Sequence, residues 1–268
     1  MNSKAVENIV FILLILLVFF IIVPIIPLIL WSFSGGWKWP EIFPNIFAMR
    51  AWKYVFSVSS RTGKAVLTSL NITFIVTIIN IIIGIPAANA LGRYEFKGKK
   101  ITEGILLTPV IIPPIVAAIG MHKMFIHLDL VDTMEGVVLT HTISTLPYMI
   151  KALSISFKNL GFNLEEQAKM LGAGYINRFF YVVFPYLLPG IAAGSSLTVL
   201  ISLSQYIITV LIGGGQIMTL PMLMVPFING GDQSIGAVYC IIFAVLAFIL
   251  LWFMDNILKK YYGNKRIN

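Results

Sequence analysis

Charged residues are scarce in this sequence of 268 residues, and histidine and cysteine are rarer still. Asp, Glu, Lys and Arg make up 11% of the chain, whereas soluble domains carry about 25%. The single cysteine, Cys240, excludes an intrachain disulfide and a cysteine metal cluster. The three histidines show neither H-E-x-x-H spacing nor a paired carboxylate. These shortages argue against a soluble enzyme, and we expect no catalytic residue, bound metal or cofactor in this chain.

Apolar residues, by contrast, make up 58% of the chain, and the mean hydropathy is +0.92. They form six runs long enough to cross about 30 Å of hydrocarbon at about 1.5 Å per residue. The runs are residues 9–31, 65–91, 101–125, 137–157, 182–212 and 235–258. We therefore predict an all-α, polytopic membrane protein with six transmembrane helices in one domain, residues 1–268. Pro109, Pro113 and Pro114 predict a break in the third run.

The formal charge of +8 comes from basic residues that flank these runs, with no aromatic-interleaved basic surface of the kind that binds nucleic acid. One set is predicted to be cytoplasmic by the positive-inside rule: Lys4, Arg93, Lys97, Lys99, Lys100, Lys158, Lys169, Arg178, Lys259, Lys260, Lys265 and Arg266. Both termini then lie in the cytoplasm. Segment 32–64 departs from this pattern, because it contains Lys38, Arg50, Lys53, Arg61 and Lys64. Its start is predicted to lie at a membrane interface because tryptophans cluster there, namely Trp31, Trp37 and Trp39.

The connection at residues 158–184 is too polar to span a membrane but has a helical pattern. Glu165 and Glu166 suit the first turn of a helix, and Gly172 or Gly174 can end it. We predict a short amphipathic helix on the cytoplasmic side. Without further information, a solvated helix on the membrane surface would be the simplest interpretation.

The spacing within this connection is specific. Glu166-Gln167-Ala168 is followed, after three intervening residues, by Gly172 and, after nine more intervening residues, by Val182-Val183-Phe184-Pro185. This pattern resembles the EAA motif of binding-protein-dependent type I ABC transporter permeases, E-A-A-x-x-x-G with a later I-x-L-P. The sequence departs from it at Gln167, where the family usually has Ala, and in the residues before Pro185.

A second stretch extends the resemblance. Residues 84–91, Gly-Ile-Pro-Ala-Ala-Asn-Ala-Leu, precede a basic loop and are similar to the second helix of the same permeases. The resemblance therefore covers residues 65–258. It implies a permease subunit of an importer in the cytoplasmic membrane of a prokaryote. The partners it implies are ABC ATPase subunits, a second permease subunit in a heterodimer and an extracytoplasmic substrate-binding protein.

The resemblance also implies which residues couple the permease to its ATPase: Glu165, Glu166, Ala168, Leu171, Gly172 and Pro185. ATP would be hydrolysed by the partner. This chain has no phosphate loop of its own, because five residues separate Gly92 from Gly98 instead of four and Lys100 replaces the Ser or Thr.

The transported solute is suggested only by local similarity. The region around Ser204-Gln205-Tyr206 looks most like the polyamine-type permeases, which implies spermidine or putrescine. Sugar, thiamine, iron and phosphonate importers remain alternatives. A secondary transporter, from another class, would need an inverted repeat and midplane carboxylates, and the sequence shows neither. The candidate pathway residues are Asn71, Pro113, Lys151 and Gln205.

Overall fold

The computed structural model describes residues 3–37 and 41–265, so Lys38, Trp39 and Arg266 lie outside the described residues. The described chain is helical nearly throughout, which confirms the predicted all-α fold class. Short 3₁₀ and π-helical turns occur at Val58–Ser60 and Phe179–Val183. The α-helices are α1 (Ser3–Ile22), α2 (Ile25–Ser32), α3 (Arg50–Val55), α4 (Thr62–Arg93), α5 (Lys99–Ile111), α6 (Pro114–His127), α7 (Met134–Leu160), α8 (Asn163–Met170), α9 (Tyr175–Arg178), α10 (Phe184–Ser204), α11 (Ile207–Gly213), α12 (Leu220–Asn229) and α13 (Gln233–Lys265).

Four helical segments in the described chain are long and apolar enough to cross a membrane: Val10–Ser32, Thr62–Arg93, Tyr175–Ser204 and Gln233–Asn256. A fifth is formed if α5 and α6 together make one broken span. The predicted count of six is therefore not confirmed. The remaining predicted span falls on α7, which has 27 residues but is less apolar, because it carries hydroxyl residues and His141 on buried positions.

A turn at residues 23–24 separates α1 from α2 within the first predicted span, and two later predicted spans are also interrupted. The axes of α5 and α6 differ by 104° across residues 112–113, where prolines remove backbone donors and restrict the preceding residue. The predicted span at residues 182–212 is also divided, because α10 ends at Ser204 and α11 begins at Ile207. Gln205, which lies in this second break, has an extended backbone conformation.

The chain divides into two compact units. The first comprises residues 1–63 and 223–245. Within it, the hydroxyl groups of Thr62 and Tyr239 are 3.1 Å apart, and Phe227 stacks on Tyr239 with ring centroids 5.8 Å apart. Arg50 forms an ion pair with Asp232. Aromatic packing and buried hydroxyl groups thus hold this unit together.

The second unit, residues 64–222 and 246–268, is built around α7 and α10, its most extensively packed helix pair. The two helices approach closely at glycines. A Cβ at Gly190 would lie 2.4 Å from Ser156 Oγ, and one at Gly194 would lie 2.6 Å from Met149 Sδ. Small residues let helix backbones approach in this way in membranes.

Buried polar groups also connect the helices of the second unit. Asn80 on α4 donates hydrogen bonds to Thr145 on α7 (2.7 Å) and to Thr198 on α10 (3.3 Å). His141 on α7 bonds to Ser202 through Nδ1 and to Thr209 through Nε2, both at 3.0 Å. These contacts explain how α7 tolerates polar residues at buried positions, since buried polar groups need partners.

Candidate functional site

The short helix predicted between the fourth and fifth apolar runs is α8, Asn163–Met170. Two acidic residues occupy its first turn and Lys169 its last, which suits the helix dipole. Gly172 follows the helix with φ +84°, a conformation that a side chain disfavours. Backbone bonds from Gly172 to Lys169 (3.0 Å) and from Ala173 to Ala168 (3.0 Å) complete the turn.

The carboxylate of Glu165 forms an ion pair within the chain. Its Oε2 accepts a hydrogen bond of 2.7 Å from Nη1 of Arg93, the last residue of α4. The Arg93 side chain is only 4% exposed and that of Glu165 is 22% exposed. The Arg93 guanidinium also lies over the rings of Phe157 and Phe162, at 5.0 and 5.2 Å from their centroids. The start of α8 is therefore fixed against the ends of α4 and α7.

Other residues of α8 and of the turn after it are exposed. Glu166, also in the first turn, is exposed, and at the end of the helix the apolar side chains of Met170 and Leu171 are 86% and 88% exposed. In α9, Tyr175 and Ile176 are also exposed, at 74% and 69%. Several exposed apolar side chains within a short segment are typical of a protein or membrane interaction site.

A separate cavity of about 480 Å³ lies in the second unit between the two helix breaks. Its lining includes Pro114, Ser144, Tyr148, Gln205 and Ile208. Among the described residues that line it, none is charged. Irregular backbone at membrane depth is tolerated where it is buried in protein or lines a water-filled cavity. Both helix breaks contribute residues to the lining of this cavity, which is consistent with that rule.

The residues predicted for function thus fall at different places. Gln205 lines the cavity, and Pro113 lies between two of its lining residues. Asn71 is exposed on α4, and Lys151 lines another, smaller cavity with Glu103. Neither Asn71 nor Lys151 lines the larger cavity that contains Gln205. Pro185 lies in the first turn of α10 and is partly exposed.

Sequence reasoning missed the role of Arg93, which was counted only as a basic residue flanking a span. It also missed Ser144 and Tyr148 as cavity residues. A sequence signal for Arg93 exists, since it stands two residues after the family-like stretch at residues 84–91. Its pairing with Glu165, 72 residues away, depends on the tertiary fold.

Long apolar helices, two broken spans that meet at a cavity, and an amphipathic helix with an exposed apolar end define a helical membrane transport protein. The comparisons with known proteins agree. A family model described as binding-protein-dependent transport system inner membrane component matches residues 80–261. The chain belongs to this family, the permeases of ABC importers, and is a multi-pass component of the inner membrane.

Individual relatives transport different solutes. The chain is 31% identical over 205 residues to the molybdenum transport system permease protein ModB of Escherichia coli (strain K12), covering 70% of this chain and 90% of that protein. It is 25% identical over 197 residues to the spermidine/putrescine transport system permease protein PotC of Haemophilus influenzae, covering 74% and 77%.

A solved structure shares the fold. The crystal structure of a bacterial ABC transporter involved in the import of the acidic polysaccharide alginate has a chain that matches with a TM-score of 0.68 and 16% identity, covering 98% of this chain and 99% of that chain.

Proposed function

We propose that α8 docks on a separate ABC ATPase and that the cavity between the two helix breaks forms this subunit's part of the substrate pathway. The observation that carries the first proposal is the contrast within α8. Its first turn is anchored through Glu165, while Glu166, Met170 and Leu171 remain exposed. A helix that is anchored at its first turn and is exposed and apolar at its end can transmit force from the ATPase to the spans.

Each coupling residue then has a distinct part. Glu166 meets a basic group of the ATPase, and Leu171 packs on it. Ala168 allows close approach, Gly172 turns the chain, and Pro185 begins the span that follows. In this assignment Glu165 positions α8 and does not contact the ATPase. ATP-driven closure of two ATPases would move the helix and switch the spans between two states.

We further propose that a second permease subunit, different from this one, covers Asn71 and completes the pathway. An exposed amide on a spanning helix is costly in lipid, and polar residues of this kind commonly bond across helices. An extracytoplasmic binding protein would deliver the solute, and both termini of this chain would lie in the cytoplasm. Residues 1–268 would act as one permease domain.

For the solute, we propose a small oxyanion such as molybdate. The match to ModB supports it, since that match has higher identity and covers more of the relative than the match to PotC. Spermidine or putrescine is the second candidate, supported by PotC and by the local similarity around Gln205. The uncharged cavity favours neither sign of charge, which fits selection by the binding protein.

The test of docking is co-purification. The tagged full-length chain is extracted in mild detergent and its partners are identified by mass spectrometry. Glu166→Arg should lose the ATPase, because the new cation repels a basic docking site. Glu95→Arg makes the same change at a residue that is exposed and lies outside α8, and it should retain the ATPase. Absence of an ATPase from wild type in several mild detergents would contradict the proposal.

The solute is tested with the assembled transporter in proteoliposomes. ATP hydrolysis should be stimulated by the co-purified binding protein loaded with molybdate, and not by the same protein incubated with spermidine. The reverse result would favour the polyamine.

A further inference from the structure

A cavity of about 600 Å³ lies behind α8, within the second unit. It is lined by the ends of α4 and α7, by α8 and α9, and by the π-helical turn. Its volume falls in the range of about 300–1,000 Å³ that is usual for ligand pockets. The charged residues of the lining are Arg93, Arg178, Lys169, Glu165 and Glu166. Cations therefore outnumber carboxylates.

Arg93 brings unmatched donors to this cavity. Its Nη1 bonds to Glu165 and, at 3.4 Å, to Asn89. Its Nε and Nη2 are buried and have no hydrogen-bond partner in the described part of the chain. The N–H bonds of Nε and Nη2 run parallel along one edge of the guanidinium, the edge that binds two oxygens of a carboxylate or phosphate.

A second arginine shows the same feature. Nε of Arg178 on α9 is buried without a partner among the described residues, and its guanidinium lies 5.9 Å from the ring centroid of Tyr175. Two arginines on separate helices, both in the lining of this cavity, thus have donors without a partner among the described residues. Buried donors in native structures are nearly always matched, so the arrangement calls for an acceptor.

We propose that this cavity binds the phosphate group, or a similar tetrahedral oxyanion, between Arg93 Nε and Nη2 and Arg178 Nε. These arginine donors are buried within the chain itself. Their acceptor is therefore more readily a ligand small enough to enter the cavity than the surface of a partner protein. The ligand is either a free ion or the phosphate of a lipid headgroup. The site does not depend on whether α8 docks on an ATPase, although its ligand shares Arg93 with Glu165 of α8.

The experiment measures binding of ³²P-labelled phosphate to the delipidated full-length chain in non-ionic detergent by equilibrium dialysis. Arg178→Gln removes one set of donors, and Arg93→Lys keeps the charge beside Glu165 but removes the two-pronged edge. As a control, Lys97→Gln removes an exposed charge in the loop that follows α4, and Lys97 does not line the cavity. We expect saturable binding by wild type and Lys97→Gln, and roughly tenfold weaker binding by each arginine variant.

Competition identifies the source of the ligand. Displacement by sulfate but not by soluble short-chain phosphatidylglycerol supports a free oxyanion. Displacement by phosphatidylglycerol but not by phosphatidylcholine supports a lipid headgroup. As a check that needs no variant, phosphate should raise the melting temperature of wild type above that in chloride at equal ionic strength.

Two results would overturn the proposal. The first is that wild type binds neither phosphate nor phosphatidylglycerol saturably and is not stabilised by phosphate. In that case, loss of a co-purified ATPase in Arg178→Gln would identify a carboxylate of the ATPase as the acceptor. The second is that both arginine variants, folded by size-exclusion chromatography, bind phosphate as tightly as Lys97→Gln.

Discussion

Arg93 and Glu165 join the last residue of α4 to the first turn of α8 through an ion pair of 2.7 Å. The neighbouring Glu166 is exposed. Two adjacent carboxylates therefore differ in what they contact: Glu165 is bonded within the chain, and Glu166 is available to another molecule. In the proposed function, this difference separates Glu165, which would position α8, from Glu166, which would contact the ATPase.

The ion pair predicts unequal effects on stability. Glu165→Ala leaves Arg93 buried without its carboxylate, so we expect a loss of about 2 kcal/mol in the free energy of unfolding. Glu166→Ala should leave this free energy unchanged. Glu95→Ala is a second control, since Glu95 pairs with Lys99 at an exposed position and such pairs contribute little. Denaturant unfolding in detergent measures the three variants, and equal losses for the two α8 variants would contradict the assignment.

The turn after α8 predicts a difference between two glycines. Gly172 has φ +84°, so Gly172→Ala should cost about 1 kcal/mol through backbone strain. Gly174 has φ −65° and ψ 165°, and Gly174→Ala should be neutral. Neither added Cβ meets a neighbour within 4 Å, so backbone conformation alone decides the outcome. Hydrogen exchange of the α8 backbone amides measures the loss of local stability. Equal exchange rates in the two variants would disprove the predicted strain at position 172.

Local signals in the sequence were sufficient to predict α8 and the break between α5 and α6. Acidic residues at one end and Gly172 beyond the other define a short helix, and Pro113 and Pro114 prevent a continuous one. Each of these effects acts over a few residues, so it can be deduced without the fold.

Tertiary pairing was not predictable in the same way. The partner of Glu165 is 72 residues distant, and the position of both glutamates in the first turn of α8 does not indicate which of them pairs within the chain. The polar residues of α7 lower its apolar character, so hydropathy alone does not indicate that His141 and Thr145 find partners on other helices. The position of Lys151 away from the larger cavity likewise depends on how α7 is rotated in the packed unit.

The buried polar contacts of α7 predict a measurable coupling. Nδ1 of His141 and Oγ of Ser202 are 3.0 Å apart, and both residues are buried. In a double-mutant cycle with His141→Phe and Ser202→Ala, we expect a coupling energy of about 0.6 kcal/mol, the average for such bonds in membranes. The pair His141 and Thr142 is a control in which Thr142 bonds to its own helix, and its coupling should be near zero. A zero coupling for His141 with Ser202 would show that their contact adds no stability.

The close packing of α7 against α10 predicts that two Gly→Ala substitutions change the free energy of unfolding in opposite directions. Gly190→Ala places a methyl group 2.4 Å from Ser156 Oγ and 3.0 Å from the carbonyl oxygen of Ala152. The hydroxyl can rotate away but the backbone carbonyl cannot, so the helices must separate at a cost of about 1–3 kcal/mol. Gly104→Ala on α5 is the matched control, because its Cβ would meet nothing within 4 Å, and Ala is the better helix former by about 1 kcal/mol. Unfolding of the two variants in detergent should therefore shift in opposite directions. A shift in the same direction would mean that the close approach of α7 and α10 does not limit stability, and the role of the small residues between them would have to lie in movement of the two helices.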